Sequence, residues 1–216
     1  MGVLTLKLLS AYALGALVGA LIIGRFTGVD IRTQGSGNAG GTNALRTQGK
    51  WFALGVMVID VGKGVLVTAW LAHTAVFGQA APSELSLPWQ SGLLALAVIV
   101  GHIYPVFFGM RGGKGAATLI GALAGANWLA LAPVLLVWWC VVLLSGFVGL
   151  ATILAALSLL LIPLLPPSLG IALPWSVGTT CVIALLIVFA HRGNLWRMLQ
   201  GTENRARSVW LLKPRH

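Results

Sequence analysis

The chain has 216 residues, of which 14 are Lys or Arg and four are Asp or Glu; the net charge is +10, yet only 8% of residues are charged and 58% are apolar. An ordinary soluble domain is about one-quarter charged, so at a mean hydropathy of +0.94 this much apolar surface requires a bilayer as part of its solvent. The carboxylates Asp30, Asp60, Glu84 and Glu203 are too few and too scattered for a two-metal phosphotransferase, and Cys140 and Cys181 form no CxxC pair, zinc site or disulfide framework.

The first apolar run is Val3 to Ile23. Its small residues Ala13 and Ala20 would suit signal-peptide cleavage, but only Lys7 carries charge near its start, while Arg25, Arg32, Arg46 and Lys50 follow it. That asymmetry predicts a retained span with the N-terminus outside and the following loop, about Gly24 to Lys50, in the cytoplasm. A second run, Trp51 to Phe77, returns outward and carries Asp60 and Lys63, an i,i+3 pair. Either charge alone at a span centre costs roughly 2.5–3.5 kcal/mol, and the pair reads as a structural support rather than direct chemistry. The gap Gly78 to Gln90 holds Glu84 and no basic residue, as befits the outer face. A third run, Ser91 to Phe108, comes back to the basic turn Gly109 to Gly115.

From Ala116 to Ala190 the chain is uncharged for 75 residues, with breaks at Asn127 to Pro133, Ser145-Gly146 and Pro163 to Pro174. These predict pieces at 116–127, 128–145, 147–165 and 175–190. The tail from His191 is basic and belongs inside, so an even number of crossings separates it from the basic turn. Four pieces make seven spans and two make five; the first piece is short, roughly 18 Å at 1.5 Å per residue. The expected fold is an all-α polytopic membrane protein of about seven transmembrane helices, one domain over 1–216, with the C-terminus cytoplasmic. All basic residues except Lys7 and Lys63 then face the cytoplasm, which accounts for the charge without a nucleic-acid partner.

Three polar segments meet on that side. In SGNAGGTNALR, Ser36 to Arg46, glycines let backbone N–H groups approach an anion, Ser36, Asn38, Thr42 and Asn43 add donors, and the Arg46 fork grips phosphate. A flexible loop would need no such density of donors. In GHIYPVFFGMRGGKGAAT, Gly101 to Thr118, the glycines around Lys114 read as a phosphate cradle opening a helix. It is no Walker A loop, because position 108 is Phe and position 115 is Gly, so nucleotide hydrolysis is disfavoured. His102 is as well explained as a hydrogen-bonded core residue. In the third segment, His191 to Arg205, His191, Asn194 and Arg197 share one helical face. A basic helix lying on anionic lipid explains the arginines, but lipid requires neither the His nor the Asn.

Together these motifs resemble the bacterial acyl-phosphate:glycerol-3-phosphate acyltransferase family of integral membrane enzymes. The first is matched by Ser36, Gly37, Asn38, Gly40, Thr42, Asn43 and Arg46. The second is matched by Gly101, His102, Pro105, Val106, Gly112, Gly113, Lys114, Gly115, Ala117 and Thr118. The third is matched by His191, Asn194, Arg197, Gly201, Thr202 and Glu203, and Asp60, Lys63 and Gly64 match a stretch in the second span. Gly149 departs from the family, where serine is common.

The resemblance implies acyl transfer from acyl-phosphate to glycerol 3-phosphate at the cytoplasmic face of a bacterial inner membrane. The products would be lysophosphatidic acid and phosphate, and the reaction would need no cofactor and no metal. It implies membrane lipid as surroundings and leaves room for hand-over of acyl-phosphate from a soluble synthase. The His-x4-Asp dyad of other glycerolipid acyltransferases is absent: Gly78, Phe107 and Trp196 stand five residues after His73, His102 and His191. The roles implied are catalytic for Ser36, Asn38, Lys114 and His191. They are substrate-binding for Gly37, Gly40, Thr42, Asn43, Arg46, Gly112, Gly113, Gly115, Asn194 and Arg197. Either His191 or an oxygen of the departing phosphate is the base, and the residues alone favour the phosphate, with His191 donating to glycerol 3-phosphate. A transporter of a phosphorylated solute is the main rival, weakened by motifs confined to one side and by few intramembrane coupling residues; a lipid-binding scaffold is a third reading.

Overall fold

In the computed structural model, which describes residues 2–75 and 86–212, every regular element is helical. The outer gap around Glu84 and the tail residues Lys213 and Arg215 lie outside the described residues. The helices are α1 (Gly2–Gly15), α2 (Gly19–Thr27), α3 (Gly41–Gln48), α4 (Lys50–Val65), α5 (Leu87–Ile103), α6 (Ala116–Ala126), α7 (Trp128–Ser145), α8 (Val148–Ser158), α9 (Val177–Ala190) and α10 (Arg192–Leu199). α4 runs on through a π-helical stretch, Leu66–Leu71, and α5 through a 3-10 turn, Val106–Phe108. With these extensions Lys50–Leu71, Leu87–Phe108 and Trp128–Ser145 are long and apolar enough to cross a membrane. The bent pairs α1–α2 and α9–α10 raise that number to five, while α6 and Val148–Leu164 are shorter apolar helices.

The uncharged run divides where its polar and helix-breaking residues stand. The Asn127 side chain accepts from Leu129 N and caps α7, and Gly146, at φ 75°, closes it in the left-handed conformation that favours glycine. The first apolar run behaves differently from expectation: it breaks after Gly15 and bends by 46° before α2. The backbone groups freed by the break find charged partners. Lys63 Nζ donates to the Gly15 and Leu17 carbonyls at 2.8 and 3.1 Å, and Gly19 N donates to Asp60 Oδ1 at 3.0 Å. Asp60 and Lys63 lie 3.0 Å apart, with His102 Nδ1 3.3 Å from Asp60 Oδ1. The intramembrane pair therefore mends a broken helix, and His102 is a core histidine joined to it. Lys7 has a similar task, donating to the Ala72 carbonyl at 3.1 Å.

Small residues set the close helix contacts, as expected where lipid removes the hydrophobic drive for association. A Cβ on Gly101 in α5 would lie 3.0 Å from Gly15 Cα in α1, and one on Gly121 in α6 would lie 2.8 Å from the Val61 carbonyl carbon in α4. A second small core of Val18, Leu21, Ile31, Ala39, Ala44 and Val56 packs the 24–50 segment onto α2 and α4. That segment is thus folded, not a flexible loop, and it includes α3. Arg32 fastens it to the 109–115 turn: its guanidinium pairs with Asp30 and donates to the Phe108 carbonyl just before the turn at 3.0 Å and to the Arg111 carbonyl within it at 3.4 Å.

Candidate active site

The three polar motifs meet at one cavity of about 180 Å³. Ser36, Asn38, Gly40, Thr42, Asn43 and Arg46 line it from the first motif, Lys114 and Gly115 from the second, and His191, Asn194 and Arg197 from the third. Gly37 lines an adjoining, more open cleft that shares Ser36, Asn38, Lys114 and Arg197. Of the residues singled out in the sequence, Gly112 and Gly113 line neither space. They stand behind Lys114: Gly113 N donates to the His102 carbonyl, and a Cβ on Gly113 would overlap His102 Nε2 and lie 2.8 Å from the Ala39 carbonyl. Their lack of a side chain lets the Lys114 turn press against α5.

Three helices begin at this cavity. The N-cap residues of α3 and α6 are Gly40 and Gly115, and α8 starts behind Phe147; none of the three makes a side-chain capping hydrogen bond. Gly41 and Thr42, Ala116 and Ala117, and Val148 and Gly149 all line the space. Free first-turn N–H groups and the positive end of the helix dipole attract anions. Three such ends beside Lys114, Arg46 and Arg197 make the cavity strongly electropositive. Among the described residues, the Ser36 and Thr42 hydroxyls, the Asn38 amide and the Arg46 guanidinium make no hydrogen bond to protein, so they are free for a ligand.

Other polar groups are already engaged. Asn43 is buried; it accepts from Ser36 N at 3.0 Å and donates to the Ile31 and Gln34 carbonyls, so it shapes the loop from within. Lys114 Nζ donates to Asn194 Oδ1, Asn194 Nδ2 donates to Glu203 Oε1 at 2.6 Å, and Arg197 Nε donates to Glu203 Oε2 at 2.7 Å. Glu203 was legible only as part of a motif, yet it orients both Asn194 and Arg197. Burial, helped by the charge of Arg197 and opposed by Glu203, brings the Lys114 ammonium down to about 8. His191, just past the apolar helix α9, is buried, and its Nδ1–H donates to the Ile187 carbonyl at 2.8 Å. That bond leaves Nε2 as an acceptor, and burial brings the imidazole down to about 4.

Asp60 and His102 also line the cavity, and another part of its wall is apolar. Met57, Ile120, Trp138 and Val148 line it, with the Trp138 indole donating to the Thr152 hydroxyl at 3.2 Å. An anion site thus opens beside a lipid-compatible surface. Gly149, the departure noted in the sequence, packs against Asn194, and a Cβ there would lie 2.8 Å from three Asn194 atoms.

The sequence profile of glycerol-3-phosphate acyltransferase matches residues 5–201. A glycerol-3-phosphate acyltransferase of Laribacter hongkongensis is 39% identical over 204 residues, covering 92% of this chain and 94% of that protein. One of Actinobacillus succinogenes is 36% identical over 202 residues, covering 93% and 92%. The fold is similar to the crystal structure of PlsY (YgiH), described as an integral membrane glycerol 3-phosphate acyltransferase, in its glycerol 3-phosphate form. The TM-score there is 0.76 and the identity 32%, over 94% of each chain. Its lysophosphatidic acid form gives 0.75 and 31%, over 95% of this chain and 97% of that one. A profile match over most of the chain, relatives well above 30% identity and a shared fold agree: this all-helical membrane protein belongs to the glycerol-3-phosphate acyltransferase family.

Proposed function

We propose that the protein transfers an acyl group from acyl-phosphate to glycerol 3-phosphate, releasing lysophosphatidic acid and inorganic phosphate. The observation that carries this reading is the convergence of three uncapped helix N-termini and three cationic side chains beside an apolar wall. Both substrates bring a phosphate, and one brings an alkyl chain. The family supports the acceptor; the choice of acyl-phosphate as donor rests on the small anion-binding cavity and on the missing His-x4-Asp dyad.

The glycerol hydroxyl attacks the carbonyl carbon of the mixed anhydride, the new C–O ester bond forms, and the bond to the phosphate oxygen breaks. Phosphate is a good leaving group, so positioning and charge neutralisation supply most of the rate. Lys114, Arg46 and Arg197 neutralise phosphate, with Asn194 and Glu203 orienting Lys114 and Arg197. Ser36, Asn38, Thr42 and the first-turn N–H groups orient the acyl-phosphate and the developing oxyanion. His191 Nε2 accepts the hydroxyl proton and passes it to the departing phosphate. Met57, Ile120 and Trp138 flank the start of the acyl chain.

In this reading residues 1–216 act as one integral membrane domain of seven spans in a bacterial inner membrane, N-terminus outside and active site cytoplasmic. A soluble synthase can then deliver acyl-phosphate from that side. Single cysteines introduced at Gln48 and Thr202 should react with an impermeant reagent only from the cytoplasm; reaction at Gln48 from outside would overturn the orientation. The activity test uses purified protein with acyl-phosphate and glycerol 3-phosphate, in excess chelator and without ATP. Full production of lysophosphatidic acid is expected. Loss of turnover that returns with Mg²⁺ would refute this mechanism, and unchanged substrates would favour a transporter.

A further inference from the structure

The family profile ends at residue 201, but Glu203 and Asn204 line the cavity and the residues after them pack on the end of α7. α7 ends at Ser145, and the last carbonyls of a helix have no partner within it. The tail supplies partners for four consecutive carbonyls around that end. Leu211 N donates to Leu143 O at 2.9 Å, Trp210 Nε1 to Leu144 O at 3.0 Å, Arg205 Nη1 to Ser145 O at 3.4 Å and Ala206 N to Gly146 O at 2.7 Å. The Arg205 guanidinium lies between two rings, 4.3 Å from the centroid of Phe147 and 4.1 Å from that of Trp210. The turn favours glycine at 146, where φ is 75° and a Cβ would press on Trp210 Cγ at 3.1 Å and Arg205 Cβ at 3.2 Å.

Both ends of this arrangement touch the reaction site. Phe147 is the residue from which α8 starts, so the clamp holds the helix N-terminus that presents Val148 and Gly149 to the cavity. On the other side Arg205 follows Glu203 by two residues, and Glu203 fixes Asn194 and Arg197. A carboxylate on an unanchored tail would lose conformational freedom each time it held those partners; the clamp removes most of that freedom in advance.

We propose that residues 203–211 form a strap that holds Glu203 and the start of α8 in register, making Arg205 and Trp210 positioning residues for the transfer. The inference rests on the acyl-transfer reading of the same site. A tail that merely caps α7 would affect stability alone; loss of a strap acting through Glu203 weakens capture of glycerol 3-phosphate, the substrate we assign to the Asn194–Arg197 face. The full-length protein is purified as wild type, Trp210→Ala, Trp210→Phe and Arg205→Lys, and kcat, KM for each substrate and Tm are measured. Trp210→Ala should raise KM for glycerol 3-phosphate by about tenfold and leave KM for acyl-phosphate within about twofold. Arg205→Lys should behave alike, because an ammonium does not fill the planar space between two rings. Trp210→Phe, which keeps a ring face for Arg205 but loses the donor to the Leu144 carbonyl, should recover part of the loss.

In a Glu203→Gln background, Trp210→Ala should add less than about twofold, because both changes remove one device. Unchanged kinetic constants, equal losses for both substrates that track a fall in Tm, or fully additive effects would overturn the proposal. If Trp210→Ala fails to fold, Arg205→Lys and Trp210→Phe decide it by the same criteria. A wild-type protein that makes no lysophosphatidic acid would instead refute the acyl-transfer reading. The strap would then be read from the thermal shift caused by glycerol 3-phosphate, expected in the wild type and lost in Arg205→Lys; an equal shift in both would overturn it.

Discussion

Lys114→Ala should lower kcat/KM by about ten- to over a hundredfold, since a charge-assisted hydrogen bond to phosphate contributes roughly 1.5–3 kcal/mol. Lys114 is half-buried where α6 begins, so water cannot replace it well. The same burial sets a pH dependence. With its ordinary value brought down to about 8, Lys114 is charged below that pH and neutral above it. Capture of a phosphate dianion by free enzyme should therefore be complete at neutral pH, and log kcat/KM should fall as pH rises through about 8. Lys114→Arg should remove that alkaline limb, because guanidinium stays charged, even where its shape lowers the plateau. A wild-type profile flat to about pH 9.5 would refute the assignment. Gly113→Ala should be comparably harmful for a different reason. Its Cβ would collide with His102 and the Ala39 carbonyl and displace the Lys114 turn, whereas the sequence suggested that Gly113 itself cradles phosphate. Near-normal rates for both variants would reduce the cradle to a plain turn.

His191→Gln should lower kcat by roughly a hundredfold or more and change KM for glycerol 3-phosphate by less than about threefold. The residues alone suggested the reverse, a histidine that donates to phosphate and is replaced by glutamine with little loss of kcat. The hydrogen bond from Nδ1 to Ile187 changes that choice: at neutral pH Nε2 carries no proton to donate, and it is free to accept one. A histidine at about 4 is a weak base, but a bound phosphate dianion raises it, and an activated anhydride needs little assistance. The sign of the acidic limb follows. Protonation of His191 removes the acceptor, so kcat/KM corrected for the dianionic fraction of glycerol 3-phosphate should hold below neutral pH and fall only as pH approaches about 4, rather than near the unperturbed 6.5. Retained kcat with a raised KM in the glutamine variant would return the proton to the leaving phosphate and His191 to a binding role.

The long-range parts of the site explain which features were legible and which were not. Apolar run length, the charge-free stretch and its Asn127, Gly146 and Pro163 breaks are local signals, and α6, α7 and α9 begin and end close to where they point, while α8 stops at Ser158 and continues as a 3-10 helix to Leu164. The three motifs and their gathering at one end were also legible, because glycine spacing and the sidedness of basic residues are properties of the chain itself. The break between α1 and α2 was not legible. Its carbonyls are satisfied by Lys63, 46 and 48 residues away, and nothing within Val3 to Ile23 records that partner.

The sequence by itself thus determined a helical membrane protein, its family and most of the residues around one anion site. Tertiary structure alone decided which groups each of those residues contacts. Asn43 is absorbed into its loop, Asn194 and Glu203 orient Lys114 and Arg197, and the start of α8 becomes a third positive helix end. The physical reason is that a side chain's role depends on which of its donors and acceptors remain unpaired. That depends on groups brought within about 3 Å by packing, not on neighbours in the chain.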